Sequence, residues 1–116
     1  MQLSIDKDNE LTVVTIEGRL DVDTADDAQA DLMSVLEGNP NHLLIDLGGL
    51  SYISSVGMRV LILAARQLSR DGLTLAVCNT NGHVKRVFEV GGFSSYLSMY
   101  DSLAAARDDL LSSAKT

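Results

Sequence analysis

Between Leu43 and Leu68 the hydrophobic period of this chain changes once, and that change demands a strand followed by a helix. Leu43-Leu44-Ile45-Asp46-Leu47 is an apolar run of buried-strand length. Gly48-Gly49 turns the chain, and apolar residues return at Leu50, Tyr52 and Ile53. Beyond Ser54 and Ser55, the residues Met58, Leu61, Ile62, Ala65 and Leu68 recur at i, i+3, i+4, i+7 and i+10. That is the period of a helix with one buried face. The two serines therefore stand where a helix starts. A serine hydroxyl is favoured there because it accepts a hydrogen bond from a free backbone N–H of the first turn. The same unpaired N–H groups and the positive end of the helix dipole favour an anion such as phosphate.

The flanking segments extend this unit in both directions. Leu3 to Ile5 alternates and predicts a short first strand, and Asp6-Lys7-Asp8-Asn9-Glu10 reads as a turn. Leu11 to Ile16 is rich in β-branched residues and predicts a second strand, paired with the first as a hairpin. Gly18-Arg19-Leu20-Asp21-Val22-Asp23 leads out of it. Asp23 or Thr24 caps the next helix, with Asp26 and Asp27 in its first turn and Ala25, Ala28, Leu32 and Leu36 as its apolar stripe. Gly38 and Asn39-Pro40-Asn41 end that helix. The helix after Ser55 runs to about Arg70 and stops at Asp71-Gly72. Leu73 to Val77 predicts a fourth strand, and a short helix carries Val84, Val87 and Phe88 up to Gly91-Gly92. Tyr96 to Met99 predicts a fifth strand. Asp101 or Ser102 caps a last helix through Leu103, Ala106 and Leu110, with fraying from Ser112. The order ββαβαβαβα implies one α/β domain over residues 1–116. A mixed five-stranded sheet carries about four helices, joined by right-handed crossovers.

Composition narrows the function. The net charge of −7 opposes nucleic-acid binding, which needs a basic footprint. Up to Gly38 ten acids face only Lys7 and Arg19, whereas the remainder holds six acids and seven bases. This asymmetry serves solubility or offers an acidic face to a basic protein. No apolar run is long enough to span a bilayer, and Met1 to Asp6 lacks the parts of a signal peptide, so a cytoplasmic location is expected. The single cysteine, Cys78, lies in an apolar run and is expected to be a buried thiol.

An enzyme is not expected. No phosphate-binding glycine loop occurs, and Ser55 lacks the preceding Gly-x of a nucleophile elbow. The histidines, His42 and His83, each sit beside a loop, and nothing in the sequence brings either to Ser55. Neither a metal site nor a cofactor site is expected. What remains is a hydroxyl at a helix start, either a plain cap or a site. Gly57 strengthens the second reading because it lets another chain approach closely.

These residues carry a resemblance. Leu44-Ile45-Asp46-Leu47, Leu50, Tyr52-Ile53-Ser54-Ser55-Val56-Gly57-Met58 and Val60-Leu61 are similar to the signature of the STAS domain, and more narrowly of bacterial anti-sigma factor antagonists. Gly18-Arg19-Leu20-Asp21 and the stretch from Val87 to Phe93, with Tyr100-Asp101-Ser102-Leu103 and Ala106, extend the likeness over nearly the whole chain. The family usually reads Asp-Ser-Ser/Thr-Gly-Leu at the turn. Laid on this chain, Ser54 takes the Asp position and Ser55 that of the phosphoacceptor.

The resemblance implies a switch without catalytic residues, cofactor or metal. The unphosphorylated protein, a monomer when free, would bind an anti-sigma factor that is also a serine kinase of ATPase fold, freeing a sigma factor. Phosphorylation at Ser55 would end binding, and a PP2C-type phosphatase would restore it. Neither nucleic acid nor a membrane is a direct partner. Ser54, Ser55, Val56, Gly57 and Met58 would form the presented helix start, with Met58 belonging either there or to the core. Asp21, Asp23 and Arg59 are candidate contacts, the alternatives being a cap for Asp23 and a solvated face for Arg59. A STAS module in a scaffold or transporter-associated complex, whose output is not a sigma factor, is the other reading of the same domain.

Overall fold

A computed structural model describes residues 1–7, 10–91 and 97–114, with backbone alone at 113 and 114. The N-terminal hairpin is β1 (Gln2–Lys7) and β2 (Leu11–Leu20). α1 (Ala25–Leu36), β3 (His42–Asp46), β4 (Leu50–Ile53) and α2 (Ser55–Arg70) follow. The chain continues through β5 (Leu75–Cys78), α3 (Gly82–Val90), β6 (Ser98–Tyr100) and α4 (Leu103–Ala114). The five expected strands form one mixed sheet in the order β1-β2-β3-β5-β6. β1 runs antiparallel to β2, and β2, β3, β5 and β6 are mutually parallel.

β4 is a sixth strand beyond the five expected, formed by the apolar return at Leu50, Tyr52 and Ile53. It pairs in parallel with the far end of β2, Gly18 against Leu50, Arg19 against Tyr52 and Leu20 against Ile53. β2 therefore runs past Ile16 and serves two neighbours in turn, β3 along its first half and β4 at its end. The register shifts between Gly18 and Arg19, where Gly18 adopts φ +94°. Only glycine takes that conformation without strain. The bulge bends β2 and carries Leu20 toward the start of α2.

Alternation along the central strands builds three layers. Leu43 and Ile45 of β3, with Leu75 and Val77 of β5, face α1, α2 and α3 in the main core, together with Leu32, Leu61, Leu68 and Phe88. Leu44, Ala76 and Cys78 point the other way and meet Ala106 and Leu110 of α4. Both faces of the parallel strands are thus covered, so they read as continuous apolar runs. Cys78 is fully buried. Burial, with Asp46 beside it, pushes its thiol up to about 11. Asp46 itself ties two turns together, accepting from Gly48 N at 2.9 Å and from Asn79 Nδ2 at 3.0 Å.

Several boundaries move from their expected positions. β5 begins at Leu75, because the Thr74 N–H is taken by His42 Nδ1 at 2.9 Å. β6 starts at Ser98, and Tyr96 lies outside the described residues. Of the two candidate caps for α4, Ser102 serves, its Oγ accepting from Ala105 N at 3.1 Å. No helix among the described residues is long and apolar enough to cross a membrane.

Candidate partner-binding site

The two serines divide the work at the start of α2. Ser54 is the N-cap, with extended backbone, and its Oγ accepts from Gly57 N at 3.1 Å. Its own N–H donates to Leu20 O at 2.9 Å, which joins the helix start to the end of β2. Ser55 is the first helical residue, is exposed, and its hydroxyl has no hydrogen bond to any described residue. Val56 beside it is 44 % exposed. Capping therefore accounts for Ser54 and leaves Ser55 unemployed.

Two of the residues expected on the presented surface turn inward. Met58 is fully buried in the main core, because it lies on the apolar stripe of α2 with Leu61 and Ala65. Gly57 is buried as well. A Cβ there would stand 2.6 Å from Leu20 O and 2.8 Å from Leu20 Cγ. The close approach that Gly57 permits is thus between α2 and β2 of this same chain, and no second chain is needed to explain it. Arg59 is exposed and borders, with Val56, a hollow on the α1 side that also holds Asp26.

The acidic loop lies alongside. Leu20 pairs with Ile53, so Asp21 and Ser54 each follow one residue after the same rung. Asp21 is organised by its own loop. It accepts from Asp23 N at 3.0 Å and forms an ion pair with Arg19 at 3.4 Å. Desolvation pushes its carboxyl up, but the Asp23 and Thr24 backbone bonds and the Arg19 guanidinium outweigh that and hold it below the usual carboxylate range. Asp23 is exposed and does not cap α1. Thr24 holds the N-cap position, but its side chain does not cap the helix either, because its Oγ1 accepts from Asp21 N at 3.0 Å and donates to Arg19 O at 3.0 Å. Val22, 70 % exposed, stands at the crest of this loop.

A further group joins the site from α3. The Tyr52 ring stacks on the His83 imidazole, with centroids 4.7 Å apart and planes at 3°. The Arg19 guanidinium lies 4.3 Å from the same ring's centre. His83 Nε2 is 3.2 Å from Ile53 O. Between β4, the serines and α3 lies a cavity of about 500 Å³, bordered by Tyr52, Ser54, Ser55, His83, Arg86 and Val87. The sequence reading placed neither histidine near Ser55, and the fold brings one of them to the same cavity. His42 stays structural, at the far end of β3. The signal for His83 was topological. In a parallel sheet the residues just beyond the carboxyl ends of the strands gather at one edge, whatever their separation in sequence.

Comparison with known proteins identifies the family. The profile of the STAS domain matches residues 2–106. The chain belongs to the STAS domain family. A Bordetella bronchiseptica protein named BtrV, a candidate anti-sigma factor antagonist, is 34 % identical over 106 residues and covers 91 % of each chain. Among solved structures, an anti-sigma factor antagonist from Mycobacterium paratuberculosis superposes with TM-score 0.86 at 21 % identity, covering 94 % of this chain and 92 % of that one. The Bacillus cell-fate determinant SpoIIAA, in its phosphorylated form, superposes with TM-score 0.70 at 17 % identity, covering 93 % and 98 %. In this STAS domain the edge that carries Ser55 is assembled from β2, β4, α2 and α3.

Proposed function

We propose that this STAS domain is an anti-sigma factor antagonist in a cytoplasmic partner-switching pathway, with no catalytic activity of its own. The unphosphorylated protein binds an anti-sigma factor that is also a serine kinase, and so releases a sigma factor. The kinase transfers the γ-phosphoryl group of ATP to Ser55. A bond forms between Ser55 Oγ and phosphorus, the β–γ bridge bond breaks, the hydroxyl proton is lost and ADP leaves. A PP2C-type phosphatase reverses the state by delivering water to phosphorus, releasing inorganic phosphate and restoring the hydroxyl.

The observation that carries this reading is the division of labour between the serines. Ser54 holds the helix start, so Ser55 can be modified without removing a structural hydrogen bond. The relatives named as anti-sigma factor antagonists support the class of partner, and a protein of the same fold is known in a phosphorylated form. Ser55, Val56, Asp21 and Asp23 offer the contact surface, with Ser54 at its border and Arg59 on its α1 side. Gly57 and Met58 support it from beneath.

A phosphate adds about −1.5 to −2 charges at neutral pH. Placed at an interface beside Asp21 and Asp23, it brings bulk, desolvation and repulsion together. A loss of only ~3 kcal/mol lowers affinity more than a hundredfold. No large conformational change is required for such a switch. Titration calorimetry against candidate serine kinases of the same genome tests the reading. Ser55→Ala is expected to bind as the unmodified protein does, and Ser55→Asp more weakly with the fold intact. Equal binding by Ser55→Asp and the wild-type chain would refute the charge mechanism.

A further inference from the structure

Arg86 borders the same cavity as Ser55, and nothing described so far employs it. Among the described residues that line the cavity it is the only permanently charged group, and none of them is an acid. Arg19 and Arg59 also lie near Ser55, Arg59 one helical turn along α2 from it. Arg19 is held by Asp21 and lies on the Tyr52 ring. Arg59 borders a different hollow beside Asp26. Arg86 is exposed and has no hydrogen bond or ion pair to any described residue. Below it the cavity is apolar, with Val87 half-buried and Val90 79 % exposed.

We propose that Arg86 is an intramolecular receptor for the phosphoryl group carried by Ser55, drawing it into the cavity between the start of α2 and α3. This rests on Ser55 being the phosphorylated residue and assigns the phosphate a place once it is attached. A guanidinium offers planar, paired donors that fit phosphate oxygens two at a time, and its charge persists at every relevant pH. An unpaired side chain breaks no existing bond to make this contact. His83 lines the same wall, with its Nε2 3.2 Å from Ile53 O.

The contact changes what phosphorylation does. Phosphate held by Arg86 lies in the cavity beside Val87 and Val90, so it covers apolar surface next to the contact surface as well as presenting charge to the partner. A carboxylate at position 55 is smaller and carries one charge, so Ser55→Asp supplies repulsion without closing the cavity.

Phosphorus NMR of the full chain, with phosphoserine installed genetically at position 55, tests the contact directly. Free phosphoserine has its second ionisation near pH 6. An opposing charge in contact favours the doubly ionised form and lowers that value. The folded protein is expected to titrate about one unit below the same chain unfolded in urea. Arg86→Ala and Arg86→Gln, both at an exposed position, are expected to remove at least half of the difference while the amide spectrum stays native. Arg59→Ala, one helical turn from Ser55, is expected to remove less of it than either Arg86 variant. An unaltered titration in both Arg86 variants overturns the proposal, and so does its loss in Arg59→Ala instead. Because the phosphate is installed without a kinase, the two ideas separate. A kinase that modifies Ser55 while Arg86 has no effect sinks only the receptor. An Arg86-dependent titration with no kinase acting on Ser55 sinks only the switch.

Discussion

Ser54 and Ser55 are adjacent and chemically identical, yet truncating them must have unequal consequences. Ser54→Ala deletes the oxygen that receives Gly57 N at 3.1 Å. Gly57 is buried against Leu20, so water cannot readily replace that acceptor. Losing a serine cap costs about 0.5–2 kcal/mol, and a buried donor left unmet places this one toward the upper end, about 1.5 kcal/mol. Ser55→Ala deletes an exposed hydroxyl bonded to nothing among the described residues, and its cost stays within about 0.5 kcal/mol. For a domain of this size 1 kcal/mol moves Tm by about 4 °C. Ser54→Ala is therefore expected to melt about 6 °C below the wild type and Ser55→Ala within about 2 °C of it. Urea denaturation followed by circular dichroism checks the same ordering, with a lowered midpoint and an unchanged slope for Ser54→Ala. Equal destabilisation by the two variants, or a larger loss for Ser55→Ala, would refute the assignment of cap and free hydroxyl.

Other perturbations probe the groups around the site. Met58→Ala empties a fully buried position and is expected to cost about 2–5 kcal/mol in urea denaturation, whereas a surface contact would cost almost nothing. Cys78, with its thiol near 11, is expected to be about one-thousandth thiolate at pH 8 and to react with a disulfide reagent only as fast as the fold opens. Its immediate modification in the native protein would contradict the burial. Tyr100 is pushed up to about 12 by burial and by its hydrogen bond to Asp109. Its raised value stabilises the fold below the unfolded tyrosine value near 10, and that contribution is lost as pH rises from about 10 to 12. Ultraviolet titration is expected to show a late tyrosine that vanishes in Tyr100→Phe.

Much of this fold could be read along the chain because its central strands are buried on both faces. Leu43 to Ile45 and Leu75 to Val77 are apolar without interruption, and α2 carries its stripe in full. β4 escaped because four residues with mixed exposure, between a glycine pair and two serines, look like a turn until a partner strand is known. That partner is the end of β2, bent by Gly18. Ser55 was legible as a helix-start hydroxyl, but which serine caps depends on backbone geometry. The direction of Met58 follows from the phase of the α2 stripe, in which it is the first member. Gly57 could not be assigned from sequence, because the carbonyl it accommodates belongs to Leu20, far earlier in the chain. The same holds for His83 and Tyr52, which meet only after a crossover brings α3 back to β4.

Partner switching through Ser55 is tested most directly by incubating the protein with its candidate serine kinases and ATP, then reading intact mass and fragment masses. The account predicts one added phosphate, on Ser55, present in Ser54→Ala and absent in Ser55→Ala. Phosphate on Ser54, or a stable complex with a kinase that leaves both serines unmodified, would contradict it.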